Sequence, residues 1–456
     1  MARDEEAAGE RTCGVVVVGG GLAGLTAAWR LRDHDVVVLE ADERVGGRIH
    51  SERRGEYWLN FGAHVFGSPA STTGRLLDEI GVEAASVPGR LAAVAMNGAL
   101  VTSEVVETFP LRIPLPLESR LALLRAGSKL RLAVRRYRGV AEPRPGEPPA
   151  ERQRRMLEFL DDRSFAEFVG PLPGDAAALF RSTLTRSSGE PHELAAGYGV
   201  GYFHLVWNRG QGLSRNVLGG SGALVGALAR ALAGRIETSA RVTSVCRESD
   251  GVSVAYSREG REHRLSARAA VIATPAYVTQ AIVDDLPAET RAALAAISYG
   301  PYVVGAFLTG ERAPMPWDDI YALATPKRSF GMLFNTANVL REPGAERRPG
   351  GTLMVYAAAD LARSLDGLDD GAVAERFTRD LCALFPAATG ILEEVVVRRW
   401  ERGLPYPRPG RSRLQAALTR PLAPIHLAGD YLGTWYTDTA IQTALDAAAA
   451  VTTRRM

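Results

Sequence analysis

Apolar positions along this chain fall into runs of three kinds. The first kind is short and unbroken: Val15-Val16-Val17-Val18 and Val36-Val37-Val38-Leu39 have the length and β-branched content of strands. A helix starting near Leu22 separates them, so strand, turn, helix and strand fall within about 30 residues, the span of a βαβ unit. The second kind is amphipathic. From Glu118 to Arg138, leucines interleave with Arg120, Arg125, Lys129, Arg131, Arg135, Arg136 and Arg138, which predicts a helix with one apolar and one basic side. The third is Tyr302-Val303-Val304-Gly305-Ala306-Phe307-Leu308, a β-branched and aromatic run typical of a strand. Residues 86–205 read as mostly helical after an initial β segment, with a Pro- and charge-rich loop from Ala141 to Ala150.

Glycines punctuate the first unit at fixed spacing. Gly19, Gly21 and Gly24 form G-x-G-x-x-G between the first strand and the helix. The first permits a tight turn, the second lets the backbone approach a pyrophosphate, and the third lets helix and strand pack closely. The N–H groups at the start of the helix then point at the phosphates. Glu40 closes the second valine run, about 20 residues after the first glycine, where a carboxylate accepts both ribose hydroxyls and repels a 2'-phosphate. A dinucleotide cofactor is the expectation.

Past Glu40 the chain reads Ala41-Asp42-Glu43-Arg44-Val45-Gly46-Gly47-Arg48. This resembles the E-x(3)-R-x-G-G-R extension of the flavin-dependent amine oxidase superfamily, which includes monoamine oxidases, protoporphyrinogen oxidases and carotenoid desaturases. The resemblance implies FAD and places Arg48 beside its pyrophosphate, where a guanidinium fork suits phosphate oxygens. Further matches span nearly the whole chain. Gly219 to Leu224 and Ala240-Arg241-Val242 resemble the adenine-side segment, with the Val242 backbone against FAD. Val271 to Pro275 resembles a returning strand end, and Ile425 to Asp430 with Thr437 to Ile441 the closing strand and helix. Gly429, Asp430 and Ala440 are carried over there, Asp430 near the ribityl chain. Asp438 or Thr439 would cap that helix, whose positive end would face the flavin pyrimidine.

The implied fold class is α/β: a Rossmann-type FAD-binding domain (GR2-type) assembled from discontinuous segments, plus an α+β substrate domain. The FAD domain is expected from residues 11–85, 206–295 and 395–456, the substrate domain from 86–205 and 296–394. Ligand pockets favour domain junctions, which is where the active site is expected.

In this superfamily a hydride passes from substrate to flavin, commonly with reoxidation by O2 to H2O2, and no dedicated general base is obligatory. Amine oxidases usually cage the amine nitrogen between two aromatic rings. The resemblance places Tyr436 at one cage position and Gly403, after Trp400, at the other, so half the cage is missing unless Tyr406 or Trp435 substitutes. A lysine that many amine oxidases place near the flavin is replaced by Val304. Lysine occurs only at Lys129 and Lys327 in the whole chain, and Lys327 is not expected to reach in. His64, where family members pass beside the flavin ring, is a candidate to bind substrate or shuttle a proton near neutral pH; a backbone-bonded structural histidine is the competing reading. Tyr202, Phe203 and Trp207, and Phe330, Met332 and Phe334 on one strand face by alternation, are further pocket candidates. His64, Tyr436 and Trp400 are the candidate catalytic residues. Covalent members use a cysteine near the position of Arg402, and none follows Cys382, so FAD is expected to be non-covalent.

Composition sets bounds. The 456 residues, with 46% hydrophobic and 23% charged, suit a two-domain protein, and a net charge of +2 does not argue for nucleic acid. Cys13, Cys246 and Cys382 lie far apart, imply no structural metal and suit a reducing cytoplasm. The charged start, Met1-Ala2-Arg3-Asp4-Glu5-Glu6, runs straight into the first strand, and a signal peptide is not expected. The basic stretch 118–138 could lie on a membrane surface, but the expected form is a core-facing helix with a solvated basic side. The functional expectation is an FAD-dependent oxidoreductase that removes two hydrogens from a C–N or C–C bond of a largely apolar small molecule. The alternatives are protoporphyrinogen oxidase-like or desaturase-like C–C dehydrogenation, and a flavin-fold mutase or non-redox lipid carrier.

Overall fold

The structure is a computed structural model that describes residues 11–87, 89, 93–103, 105–207, 214–341, 346–434 and 436–453. These divide into two compact units, each stitched from separated stretches. One comprises the chain through Ile49, Leu224–Ile297 and the chain from Leu414; the other comprises His50–Ala223 and Ser298–Arg413.

The first unit is built on strand Arg11–Val18, whose last six residues are all buried. It pairs in parallel with Val36–Leu39 on one side and Arg261–Ile272 on the other. Burial on both faces explains the unbroken valine runs. Ile425–Leu427 extends the parallel part beside Ala270–Ile272, and an antiparallel extension, Ala240–Glu248 with Gly251–Arg258, continues from Arg261–Ile272. Helix Leu22–Arg30 packs against helix Tyr436–Thr453. This is the α/β doubly wound architecture that the βαβ pattern predicts.

The second unit is an α+β body around a seven-stranded sheet. Its order is Leu392–Tyr406, Ser298–Thr309, Gly351–Ala358, Met332–Asn335, Ala322–Ala324, Ala93–Met96, Ala99–Thr102. Alternation sorts side chains onto two faces. Val303, Leu333 and Val355 join Trp317, Phe330 and Phe377 on one; Val304, Met332, Phe334, Met354 and Tyr356 join Tyr321 on the other. The expected row of Phe330, Met332 and Phe334 is therefore split. Phe330 precedes the strand that starts at Met332, so the two-residue period does not reach back to it.

The chain crosses between units after residues 49, 223, 297 and 413, where the sequence suggests 85, 205, 295 and 394. Three pairings account for the differences. Leu59 and Phe61 pack on Ala306 of the second unit's sheet, and Ala84–Ser86 pairs with Arg215–Val217 in the same unit. Residues Leu392–Tyr406 pair along nearly the whole of Ser298–Thr309.

The expected basic helix runs from Leu117 to Ala141. Its buried line, Ala126, Leu130, Ala133 and Tyr137, packs on helices Pro149–Glu158, Gly174–Leu184 and Ala196–Trp207. Its outer side is not simply basic, because Leu117, Leu121, Leu124 and Leu132 are exposed there.

Candidate cofactor and substrate sites

All nine candidate cofactor residues, Gly19, Gly21, Gly24, Glu40, Arg48, Val242, Gly429, Asp430 and Ala440, belong to the first unit. The turn after Val18 is held from the side by Gly19 N–H, which donates to Leu39 O at 2.8 Å. Gly19 has φ +103°, and a Cβ on Gly24 would lie 1.8 Å from Gly19 O. Only glycine satisfies both demands. Gly21 is the N-cap of Leu22–Arg30; no side chain caps that end, and no acidic residue occupies its first turn. A Cβ built on Gly21 would meet nothing within 4 Å. The helix thus presents uncapped N–H donors and its positive dipole end to open space, a fit for a pyrophosphate.

Gly46 and Gly47 run beside this turn: Gly46 N–H donates to Gly20 O at 2.8 Å, and both have positive φ. Arg48 then reaches across to the C-terminal segment. Its guanidinium grips Asp430 in two-point fashion, Nη2–Oδ1 2.9 Å and Nη1–Oδ2 2.8 Å, the fork geometry that makes such pairs strong. Gly429, at φ +151°, lets the chain turn into that pair; a Cβ there would lie 2.8 Å from the Tyr431 ring. Gly429 N–H donates to Thr443 Oγ1 at 2.9 Å. Thr443 was not anticipated, since a threonine inside a helix carries no pattern of its own.

Glu40 is nearly buried. Its Oε2 accepts Gly20 N–H at 2.5 Å and its Oε1 accepts Asp42 N–H at 2.8 Å. A carboxylate has about four acceptor positions, so two remain for ribose hydroxyls. Ser239 and Ala240 N–H bond to Asp42 O and Glu40 O, bringing the strand that carries buried Val242 alongside. Ala440 is buried within the last helix. By contrast Gly219 to Ala223 lies in the second unit, where Gly222 N–H donates to Ser51 Oγ at 2.8 Å.

One expectation about the last helix is corrected. It begins at Tyr436, so Asp438 and Thr439 sit inside its first turn instead of capping it. Tyr436 itself has φ +39°, a left-handed conformation costly for a tyrosine.

In the second unit His64 is 8% exposed. Its Nδ1 lies 3.2 Å from Gly62 O, which fixes Nδ1 as the N–H donor and turns the lone pair onto Nε2. That Nε2 is buried without a hydrogen-bond partner. Asn216 holds the loop, donating to His64 O at 2.6 Å and accepting from the Tyr321 hydroxyl at 2.9 Å. Burial, with a smaller push from Arg186, lowers the imidazole pKa to about 4. This counts against the expected proton shuttling near neutral pH: with the pKa lowered, the ring is neutral there and Nε2 is open to accept a hydrogen bond.

His64 stands edge-on to Phe334, with ring centroids 4.7 Å apart. The Arg186 guanidinium lies 5.5 Å over both Phe334 and Tyr202, and Tyr356 stacks on Phe334 at 5.7 Å. Neutral imidazole and aromatic faces thus share one buried layer, with a half-buried cation over it. Sequence reasoning found His64, Tyr202 and Phe334 but missed Arg186, Asn216 and Tyr321, which come from segments with no local motif.

Trp400 pairs across from Tyr302 and donates from Nε1 to Phe61 O at 2.6 Å, tethering the loop that leads to His64. The Gly403 position is filled from outside: a Cβ there would lie 2.6 Å from the Tyr302 ring. The Tyr406 hydroxyl donates to Glu193 at 3.2 Å, and Trp435 lies outside the described residues. Val304 is buried in the aromatic layer. Lys327 is half exposed and pairs with Asp175 at 2.6 Å; Lys129 donates to Phe168 O. Phe203 packs among Phe165, Phe180 and Trp207, a helical core.

The sequence matches the family described as flavin containing amine oxidoreductase over residues 22–452. Flavin-containing amine oxidase A of Canis lupus familiaris is 29% identical over 256 residues, which are 53% of this chain and 46% of that protein. The matched stretch spans about half the length of such curated relatives. Putrescine oxidase bound to putrescine superposes with a TM-score of 0.75 at 20% identity, covering 97% of this chain and 99% of that one. Cyclohexylamine oxidase from Brevibacterium oxydans IH-35A gives 0.75 at 19%, with the same coverage.

Proposed function

We propose, for a chain that belongs to the flavin containing amine oxidoreductase family, that it is an FAD-dependent oxidase of a small, largely apolar amine. The observation that carries this is the cradle of the first unit, where an uncapped helix start, Glu40 and the Arg48–Asp430 pair supply the complement of a dinucleotide. FAD, when bound, supplies the electron sink that accepts a hydride from the carbon beside the amine nitrogen. Gly21 and the first helical N–H groups would hold its pyrophosphate, and Glu40 its ribose. The binding is non-covalent, as no cysteine follows Cys382. Tyr436 contributes an aromatic face. O2 is the electron acceptor, and the three free cysteines fit a reducing cytoplasm.

On the substrate side, the aromatic layer around Phe334 takes the apolar part, and His64 Nε2 accepts a hydrogen bond from substrate N–H. Neutral His64 does not repel an ammonium group; Arg186 does, so the cationic end of the substrate is kept to the His64 side of the layer. Trp400 acts as a positioning residue for the His64 loop.

C–C dehydrogenation stays as a second reading on one observation: Val304 is apolar and buried where many amine oxidases carry lysine, and Lys327 is engaged with Asp175. One experiment separates the two. The purified protein is screened anaerobically for flavin bleaching with putrescine, cyclohexylamine, porphyrinogens and polyenes, and H2O2 is assayed when air returns. Bleaching by an amine with H2O2 release is expected. Bleaching only by a porphyrinogen or polyene sinks the amine reading, and a protein that stays colourless with added FAD sinks both.

A further inference from the structure

Every large apolar side chain that is broadly exposed among the described residues lies between Leu100 and Leu132. The clearest part is one stripe on helix Leu117–Ala141, where Leu117 is 70%, Leu121 58%, Leu124 40% and Leu132 52% exposed. At 3.6 residues per turn these four share an arc of about 80°. The buried line through Ala126, Leu130, Ala133 and Tyr137 is on the opposite side, so the stripe points straight away from the unit's core. Leu111, on the preceding short helix, is also exposed, at 67%. Exposed leucines gathered on one face, interrupted by Ser128, mark an interaction face.

The charges around the stripe identify what covers it. By the same helical step, Arg125 and Arg136 border one edge, Arg131 and Arg138 the other, and Arg135 falls on the stripe itself. Arg131 pairs with Glu107 and Lys129 donates to Phe168 O, while Glu118 is the helix's only acid. Long arginine stems lie along apolar surface and extend their heads to its rim. A second copy docking by a two-fold axis would bring the arginine rows together, which like-charge repulsion opposes. An anionic lipid surface satisfies both features: leucines enter the acyl boundary and arginines meet the headgroups.

We infer that helix Leu117–Ala141 docks this protein peripherally on anionic membranes. The test is co-sedimentation of the full-length protein with vesicles of phosphatidylcholine alone and with about one quarter phosphatidylglycerol. Binding is expected to the anionic vesicles and to fall steeply with added salt. Leu117→Asp/Leu121→Asp is expected to cut it more than about tenfold, and Arg125→Gln/Arg135→Gln/Arg136→Gln about a hundredfold. Circular dichroism should be unchanged in both, since the replaced side chains face solvent; should the aspartate pair fail this control, the glutamine triple decides. Equal binding to neutral and anionic vesicles overturns the inference, as does no binding by the wild type. Self-association in sedimentation velocity that Leu121→Asp abolishes overturns it in favour of a second copy.

Discussion

His64 carries a proton-linked stability that its surroundings dictate. In the unfolded chain an imidazole titrates near 6.5; in the fold, burial brings it to about 4. The native state therefore binds fewer protons than the unfolded state between these values, so the contribution is complete above about pH 6.5 and is lost as pH falls towards 4. Between pH 7 and pH 5 the loss is about 2 kcal/mol, from 1.36 kcal/mol per pKa unit. His64→Phe should remove this component. Urea unfolding at the two pH values measures it, and an identical pH dependence in the variant would refute the assignment. Arg186 shows the converse side of residue-level reading. Its place over Tyr202 and Phe334 could not be read from Thr185-Arg186-Ser187, because a lone arginine between polar residues is indistinguishable from a surface one.

Strands and helices were legible where their pattern is local. The valine runs, the three glycines and Glu40 predict the βαβ unit because each step of that motif is written within a few residues. The closing strand Ile425–Leu427 also lies where the resemblance puts it. The start of the last helix was misread, since capping residues also occur inside first turns, and Tyr436 enters with a φ that sequence does not advertise. Strand Ser298–Thr309 presents side chains to both layers of the second unit. Val303 and Val304 point to opposite layers, and Val304 is 2% exposed among Phe334, Met354 and Tyr356. Val304→Lys should place an amine in that apolar layer, lowering its pKa by about three units at a cost of about 4 kcal/mol. Thermal and urea unfolding read this. A variant as stable as the wild type would mean that position 304 faces water.

For the whole molecule, the hard part to read was where the chain changes units. Residues 50–85 continue the opening motif in sequence, yet Leu59 and Phe61 belong to the other unit's core; long-range sheet pairing decides this, and no local signal reports it. Each unit needs pieces from both sides of residue 223. A fragment ending at Ala223 lacks Arg261–Ile272, the parallel neighbour of Arg11–Val18, and Ser298–Thr309 with its partners. Such a fragment should be degraded by trypsin at least as fast as a denatured control, and a resistant core would contradict the division. The Arg48–Asp430 pair extends this point to biosynthesis. Its partners are 382 positions apart, so during translation the glycine turn leaves the ribosome long before the residue that clasps it. With FAD held as proposed, the cradle closes only on polypeptides synthesised at least through Asp430, and cofactor loading waits for that point. Ribosomes stalled before residue 430 should carry chains that hold no FAD, however much of the cofactor the cell provides.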